Sequence, residues 1–364
     1  MKAFHSLKGL YRGGVENLVI NWLRHIDLAQ GTFDFGVTEV KAQELLPEIE
    51  HCGGKVFFVT KGRHVWAKLT YVFRLYKVLK QNGPYASFFS HEQFFGPVAC
   101  MAAWMAGIPK RVTVAHWTDD YHTSAWVKGL SQFFGRLFVT DRLAVSAQAG
   151  GVQYGRLPFR VICTGIDTQK FAFNPDLRAQ VREQLNIPQG SFVLGHVSRL
   201  SADKNLFFLV DILEELRRRQ VPAVLLQCGG GVMEKPLKDY VRQKNLQDAV
   251  RLMGVTPDVF RYYQAMDCFV FPSFREGLGI VAVEAQCAGL PCFISEGVPD
   301  EAMICNTVKI SLSEPVAKWA DMILEKTKNF TRKDESFTVR QAGFEVRDTA
   351  RDIERRYLAG EKKV

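Results

Sequence analysis

The sequence of 364 residues lacks any apolar run long enough to cross a membrane. Its longest apolar runs, such as residues 223–226 and 269–271, have the length of a strand, whereas a membrane-spanning helix needs about 20 apolar residues. The first six residues also lack the apolar core of a signal peptide. Hydrophobic residues still make up 47% of the chain, which is enough for sizeable cores. We therefore expect a folded, cytoplasmic protein of two domains.

Clustered cysteine is also absent. The eight cysteines are scattered, with no Cys-x-x-Cys pair and no grouping with histidine at the spacing of zinc ligands. Cys228 and Cys268 lie in apolar stretches, and we expect most cysteines to be small buried hydrophobic residues. This pattern argues against a disulfide framework and against a structural zinc site.

Acidic residues are missing between His51 and His91. That stretch carries seven basic residues, and residues 1–163 contain 19 Lys and Arg against 11 Asp and Glu. Residues 164–364 are nearly balanced, with 28 against 27, so the net charge of +9 is a property of the N-terminal half. A surface of this sign attracts anionic partners.

Strand-like and helix-like segments alternate in both halves of the chain, which predicts parallel sheets covered by helices on both faces. The fold class is therefore α/β, with two Rossmann-like, doubly wound domains. The predicted domains are residues 1–163 and 164–338, and helix 339–364 is expected to pack back on the first domain. Predicted strands include residues 1–4, 55–60, 85–90, 111–115, 143–146, 192–197, 223–227, 250–253, 268–271 and 291–294, and predicted helices include 63–81, 235–244 and 260–266.

The most informative segment is residues 271–284, where a buried strand leads through a glycine-containing loop into a helix. Such a loop directs several free N–H groups, and the positive end of the helix dipole, toward one point, which favours phosphate binding there. Glu276 lies in the loop, where its carboxylate can accept hydrogen bonds from sugar hydroxyls, and Glu284 follows eight residues later. Taken singly, each glutamate could equally be an acidic residue that favours the helix dipole.

A second segment, residues 195–205, places Arg199 and Lys204 in the loop between a strand and a helix. Two cations five residues apart can both reach one diphosphate and can neutralise the charge on a departing nucleotide. The alternative is a solvated loop with ordinary basic residues.

Together these segments resemble the retaining GT-B glycosyltransferases of family 4, the group 1 set. Glu276 and Glu284 match the E-x7-E signature of that family, and Arg199 with Lys204 matches its R-x4-K diphosphate clamp. Residues 163–171, 12–16 and 145–150 are similar to three further segments of the family. The chain departs from the family pattern at Thr164, where asparagine is usual, and at Gly230 and Gly231, where many relatives carry an acidic residue.

The resemblance implies two domains that face each other across a cleft, and it implies a role for each matching residue. Diphosphate binding is implied for Arg199, Lys204 and the amides of Gly277, Leu278 and Gly279, ribose binding for Glu284, and contact with the transferred sugar for Glu276. The loop at residues 251–254, with Met253, would meet the nucleobase, and Gly13 and Gly14 would let the N-terminal backbone approach the donor. His116 resembles the active-site histidine of the family. A capping or core histidine is the alternative, and His91 and His122 are weaker candidates for the same place.

The implied activity is a retaining transfer of sugar from a nucleotide-sugar donor to a glycan or lipid-linked glycan acceptor, as in exopolysaccharide or capsule synthesis, and we expect the donor to be a UDP-sugar. No Asp-x-Asp triplet occurs, so we expect fixed cations to replace a metal ion, with no cofactor and no metal. Two alternatives remain: a nucleotide-sugar epimerase or hydrolase on the same fold, and a non-catalytic partner that binds nucleotide sugar.

The basic segment at residues 63–81 alternates cations with Trp66, Tyr71, Phe73 and Tyr76. One interpretation is an interfacial helix on the inner, anionic face of the cell membrane, near a lipid-linked acceptor. The other is an ordinary amphipathic helix packed on the N-terminal sheet. No nucleic-acid-binding module is found, so we expect no nucleic-acid partner.

Overall fold

The computed structural model describes residues 1–11, 13–59, 65–118 and 123–358, without the side chains of residues 65–69. It divides into two compact units, Met1–Ile166 with Gly343–Val364, and Asp167–Ala342. The domain boundary predicted between residues 163 and 164 thus lies three residues before the boundary between the units. None of the described helices is long and apolar enough to cross a membrane.

The first unit is built around a parallel sheet of seven strands in the order β3-β2-β1-β4-β5-β6-β7. Large aromatic side chains such as Phe4, Phe33 and Phe88 fill its core and are fully buried. The strands are β1 (Lys2–Ser6), β2 (Thr32–Val37), β3 (Val56–Phe58), β4 (Ser87–Ser90), β5 (Lys110–Ala115), β6 (Asp141–Ala144) and β7 (Arg160–Val161), and the helices are α1 (Gly14–His25), α2 (Leu45–His51), α3 (Val65–Asn82), α4 (Gly96–Met105), α5 (Ala125–Phe138) and α6 (Ala147–Tyr154).

The second unit is a parallel sheet of six strands in the order β10-β9-β8-β11-β12-β13. Leu209, Leu213 and Trp319 lie in its buried core. Its elements are α7 (Thr168–Phe171), α8 (Pro175–Gln184), β8 (Phe192–Val197), α9 (Leu206–Arg218), β9 (Ala223–Cys228), α10 (Glu234–Gln243), β10 (Val250–Leu252), α11 (Val259–Ala265), β11 (Cys268–Phe271), α12 (Ile280–Cys287), β12 (Cys292–Ser295), β13 (Thr307–Ile310), α13 (Val316–Thr327) and α14 (Ser336–Val339). The predicted pair of doubly wound parallel sheets is confirmed.

The C-terminal helix α15 (Val346–Ile353) belongs to the first unit and packs on α1. Its apolar residues Val346, Ala350 and Ile353 are buried, as expected for a helix with one narrow apolar stripe. The chain returns to this unit where Ile166 pairs with Glu345 in a short parallel bridge. At that bridge the backbone of Gly165 lies against Val346. A Cβ added to Gly165 would be only 2.5 Å from the Val346 Cα, so a glycine allows the two segments to come this close.

Arg332 connects its own segment of the second unit to two others through hydrogen bonds. Its guanidinium donates hydrogen bonds to the carbonyl oxygens of Ala288 at 2.7 Å, Gln264 at 2.8 Å, Met266 at 2.9 Å and Tyr263 at 2.9 Å. These carbonyls lie after α12 and at the end of α11, where helix geometry leaves backbone acceptors without partners. The planar group therefore fixes both helix ends against the sheet.

We predict that Arg332→Met destabilises the second unit by about 2 kcal/mol or more, because the carbonyl oxygens of Ala288 and Tyr263 lose the Arg332 donor, while those of Gln264 and Met266 still accept from Arg178. The free energy of unfolding, measured with guanidinium chloride and the fluorescence of the buried Trp319, checks this. The matched control is Arg242→Met, which removes an exposed arginine whose ion pair with Asp239 lies at the surface. Equal decreases in the free energy of unfolding in the two variants would contradict this role of Arg332.

Candidate donor-binding site

The loop after β8 is held by backbone contacts to the glycines after β9. Ser198 N donates to Cys228 O at 3.1 Å and Leu200 N donates to Gly230 O at 3.0 Å. Gly229 has a φ of +123°, and an added Cβ there would lie 1.9 Å from the Ser198 carbonyl oxygen. Only glycine permits this approach. The glycines at residues 229–231 therefore set the position of the loop that carries Arg199 and Lys204.

Lys204 lies at the centre of the site. Its Nζ is 2.8 Å from Glu276 Oε1 and 2.9 Å from Asp203 Oδ2, and the Lys204 and Glu276 side chains are each 12% exposed. Burial lowers the pKa of Lys204, but attraction to Glu276 and then Asp203 outweighs burial, so the pKa is raised above its ordinary value. The ammonium is therefore charged at neutral pH and joins the loops after β8 and β11.

Arg199 is exposed in the same loop as Lys204. No hydrogen bond or ion pair of its side chain to another described residue is found. The sequence pattern predicted both cations at one diphosphate. The structure engages Lys204 with carboxylates and leaves the Arg199 guanidinium directed to solvent, where it can meet an anion.

The loop between β11 and α12 is shaped by backbone contacts and by Gly279. Phe274 N donates to Asp203 O and Glu276 N donates to Gly297 O, both at 2.9 Å. Gly279 precedes α12 with a φ of +83°, and an added Cβ would lie 3.0 Å from Val298 Cγ1. Glycine has no side chain to cap the helix, and within the first turn the Ala282 N–H donates to the Gly279 carbonyl oxygen at 2.8 Å. The N–H groups of Ile280 and Val281 are the ones that the start of α12 directs toward an anion. Gly277 and Leu278 lead directly into this turn.

Glu284 lies in the second turn of α12 and receives a hydrogen bond from a residue that the sequence did not indicate. Tyr263 Oη donates to Glu284 Oε2 at 2.8 Å, and the tyrosine side chain is fully buried. Burial raises the pKa of Glu284 to about 7, while the Tyr263 hydrogen bond and the nearby Lys170 act in the opposite direction. No motif marks Tyr263, since only the hydrogen bond between its hydroxyl on α11 and Glu284 on α12 reveals it.

The loop at residues 251–254 lies beside the glycines after β9. Met253 N donates to Gln227 O at 2.9 Å, and Gly229 N donates to Gly254 O at 2.7 Å. The side chain of Met253 is partly buried. This geometry presents the backbone of the loop at the carboxyl edge of the second sheet, which is the edge where open α/β sheets bind ligands.

In the first unit, Gly13 and Gly14 precede and open α1. An added Cβ on Gly13 would lie 2.5 Å from Glu16 Oε2, whereas one on Gly14 would meet nothing within 4 Å. Because that oxygen ends a flexible side chain and the Gly13 backbone is extended, the described atoms require a glycine at neither position. Arg12, which belongs to the same motif, lies outside the described residues.

His116 follows β5 and is one of three buried histidines in contact. Its Nε2 is 2.9 Å from His91 Nδ1, and His91 Nε2 is 3.0 Å from His5 Nδ1. Burial lowers the pKa of His116 and of His5 to about 3. His5 was missed because it lies within a strand and matches no motif, and His122 lies outside the described residues.

No group of three or more His, Cys, Asp or Glu side chains in the described ranges is placed to hold a metal ion. The expectation of a metal-free enzyme stays a prediction. Lys204, Glu276 and the start of α12 lie in the second unit, and Gly13 and His116 lie in the first.

Comparison with known proteins identifies relatives along the chain. Residues 178–326 match the sequence model of the family described as Glycosyl transferases group 1. The chain is 31% identical over 334 residues to the Bacillus subtilis protein named "Putative glycosyltransferase EpsF", covering 88% of this chain and 86% of that protein. It is 29% identical over 247 residues to the UDP-Gal:alpha-D-GlcNAc-diphosphoundecaprenol alpha-1,3-galactosyltransferase of Escherichia coli, covering 64% and 63% of the two chains.

Solved structures show the same fold. Anabaena Alr3699/HepE in complex with UDP-glucose matches with a TM-score of 0.78 at 21% identity, over 98% of each chain. A glycosyltransferase from Rickettsia africae matches with a TM-score of 0.80 at 15% identity, over 98% of this chain and 97% of that one. The expected GT-B fold class is thus confirmed.

We predict that Glu284 makes stability depend on pH. The raised pKa means that the folded chain holds the Glu284 proton more tightly than the unfolded chain, whose value is 4.5. The tighter binding of this proton stabilises the folded chain fully below pH 4.5. That stabilisation, about 3 kcal/mol, is lost as the pH rises through about 7. Glu284→Gln should therefore be more stable than the wild type at pH 8, with a smaller difference at pH 5, in guanidinium unfolding. The control is the exposed Glu314→Gln, and an equal pH response in all three proteins would contradict the prediction.

Proposed function

The chain belongs to the glycosyl transferases group 1 family and is a glycosyltransferase, and from that premise we propose that it moves a sugar from a UDP-sugar, with retention, to a glycan or lipid-linked glycan acceptor. The observation that carries the proposal is the contact of Lys204 with Glu276 beside the uncapped start of α12. It puts an ammonium group, a carboxylate that can accept from sugar hydroxyls and the positive end of a helix at one point of the second unit.

In the proposed reaction, the bond between the anomeric carbon and the β-phosphate oxygen of UDP breaks. The acceptor hydroxyl oxygen forms the new bond on the same face, and its proton passes to the leaving phosphate. Arg199, Lys204 and the amides of Gly277, Leu278 and Gly279 would stabilise the negative charge on the departing diphosphate. Glu276 would accept hydrogen bonds from the transferred sugar, Glu284 would bind ribose and residues 251–254 with Met253 would meet the base.

Two relatives support the choice of donor and acceptor class. The name of the Escherichia coli relative specifies a UDP-sugar donor and a diphosphoundecaprenol-linked acceptor, and the Anabaena protein was crystallised with UDP-glucose. The fixed cations Arg199 and Lys204 would make a divalent metal unnecessary. Gly13, Gly14 and His116 are proposed as the contribution of the first unit to substrate binding.

The nucleotide proposal predicts that UDP binds in preference to GDP and ADP, without added metal. Lys204→Met should weaken UDP binding about 10- to 100-fold, because a hydrogen bond to a charged group is lost. Titration calorimetry in the presence of a chelator measures both effects. The control is Lys235→Met, whose exposed ammonium pairs with Asp239 on α10. Absence of binding by any of the three nucleotides to folded wild type would overturn the proposal.

We also propose that the first unit contacts an anionic membrane, through a different helix from the one that the sequence suggested. On α5, Trp126, Leu130, Phe133 and Leu137 recur at helical spacing and are 73, 38, 58 and 56% exposed; this set is the α5 stripe. No acidic residue occurs from 121 to 140, and Arg136 is exposed beside the stripe. An apolar face with aromatic residues and no negative charge fits an anionic lipid surface.

Neighbouring helices extend the same surface. Trp104 on α4 is 55% exposed, and its ring centroid lies 5.3 Å from that of Phe138 at the end of α5. On α3, which packs against α4, the described side chains of Phe73, Arg74, Lys77 and Lys80 are exposed. The cations of α3, the helix that the sequence suggested, would thus add electrostatic attraction to the apolar contact made by α5.

We predict that the protein floats with vesicles containing phosphatidylglycerol at low salt. The double variant Trp126→Ser, Phe133→Ser should bind at least about tenfold less, because two aromatic side chains no longer enter the interface. The control is Phe337→Ser, which removes an aromatic residue that is 71% exposed in the second unit. Absence of flotation would mean that the first unit does not contact the membrane. A dimer that ultracentrifugation detects in the wild type and not in the double variant would mean that a second copy of the chain covers the α5 stripe instead.

A further inference from the structure

Three histidines form one continuous series of contacts across neighbouring strands of the first unit. His5 lies on β1, His91 follows β4 and His116 follows β5, and these strands are adjacent in the sheet. The register pairs His5 with Phe89 and Ser6 with Ser90, and His91 N donates to Ser6 O at 3.0 Å. The ring nitrogens then meet at 3.0 Å between His5 Nδ1 and His91 Nε2, and at 2.9 Å between His91 Nδ1 and His116 Nε2.

All three rings are neutral near pH 7. Burial lowers the pKa of His5 and of His116 to about 3, and burial with repulsion from the two neighbouring rings lowers the pKa of His91. A neutral imidazole has one N–H and one bare nitrogen, so it can donate at one nitrogen and accept at the other.

This count of protons permits only two arrangements of the series. In the first, all three rings carry their proton on Nδ1: His5 donates to His91, His91 donates to His116, and His116 presents an N–H beyond the series. In the second, all three carry it on Nε2, His116 donates to His91, and the last N–H lies on His5 Nε2. Mixed arrangements place two donors or two bare nitrogens against each other.

The surroundings of His5 distinguish the two arrangements. His5 is fully buried among Phe33, Phe35 and Phe89, whose ring centroids lie 4.5, 5.9 and 4.6 Å from its own. Neither His5 Nε2 nor the indole Nε1 of Trp22 has a partner among the described residues, and these two rings are 6.5 Å apart. The indole nitrogen can only donate. A bare His5 Nε2 therefore suits this pocket, whereas an N–H there would add a second buried donor without an acceptor.

We propose that His5 and His91 are positioning residues that hold His116 in the Nδ1–H form, so that His116 offers a hydrogen-bond donor to an oxygen of the substrate. The tautomer follows from the contacts within the first unit alone, and the substrate role rests on the proposed function. His116 Nε2 is engaged by His91 and its Nδ1 carries a proton. His116 is thus not a base for the acceptor hydroxyl, whose proton goes to the leaving phosphate.

Nitrogen NMR of protein labelled with 15N-histidine tests the tautomer without any substrate. Protonated and bare ring nitrogens differ widely in chemical shift, and His196 supplies an internal reference for the Nδ1–H form. Its Nδ1 is 2.8 Å from the carbonyl oxygen of Val270, which can only accept, and its Nε2 is 2.7 Å from Ser198 Oγ. We expect His5, His91 and His116 to give the His196 pattern, with the Nδ1–H form favoured at least about tenfold. The Nε2–H pattern in these three residues would overturn the inference.

Two variants separate the hydrogen-bonded series from packing. His91→Phe keeps an aromatic ring between the strands but removes both N···N contacts, so the Nδ1–H to Nε2–H ratio of His116 should fall at least about fivefold. Phe89→Leu removes the ring that stacks on His5 with an interplanar angle of 6° but leaves both contacts, so the ratio should persist. An unchanged His116 ratio in His91→Phe would overturn the inference.

Activity provides a separate readout. With UDP-sugar and acceptor, His91→Phe should lower kcat/KM about tenfold or more, while Phe89→Leu, measured at a temperature where both variants are folded, should change it less. The Nδ1–H pattern together with absent UDP binding would contradict the proposed function and leave the tautomer assignment standing. The Nε2–H pattern in an active, UDP-binding enzyme would overturn the tautomer assignment and leave the proposed function standing.

Discussion

The ammonium of Lys204 is the interaction on which the donor-binding site depends. It joins the loop after β8 to the loop after β11 through Asp203 and Glu276, and the backbone bond from Phe274 to Asp203 runs alongside it. A lysine that is 12% exposed must keep its charge compensated, because an isolated buried charge is costly. The requirement fixes the two loops relative to each other before any ligand arrives.

The same ion pair sets a condition on how a diphosphate can bind. Two carboxylates surround one ammonium, so the immediate neighbourhood of Lys204 carries one net negative charge. An anion is then attracted only where further positive charge is added, and the exposed Arg199 and the amides at the start of α12 are the groups that can add it. Ammonium has three donors, and the one left over can reach a phosphate oxygen without loss of Glu276. The arrangement therefore favours a ligand that brings hydroxyl donors for the carboxylates together with its phosphates.

Much of this architecture follows from local sequence patterns. Strands 192–197 and 268–271 were predicted with the bounds that the structure has, because each opens on at least three consecutive apolar residues, which indicate a buried parallel strand. Strand β2 was missed because Asp34 and Gly36 interrupt its apolar pattern, and the buried Asp34 is satisfied only by distant groups such as Tyr85 Oη at 2.8 Å. The E-x7-E and R-x4-K spacings located the loops, but Tyr263, Arg332 and His5 could not be predicted. Their roles depend on contacts between strands and helices far apart in sequence.

Those three residues act through hydrogen bonds in the two units. In the second unit, Arg332 binds the carbonyl of Tyr263, and the Tyr263 hydroxyl binds the carboxylate of Glu284. In the first unit, His5 and His91 hold His116 through their ring nitrogens. Only the histidine series passes a choice along, because the nitrogen that carries the proton on one ring decides which nitrogen of the next ring accepts. In the second unit, the Arg332 and Tyr263 contacts fix positions: the first holds the Tyr263 backbone and the second holds the Glu284 carboxylate. The chemistry offered to a ligand is thus decided by residues that no ligand touches.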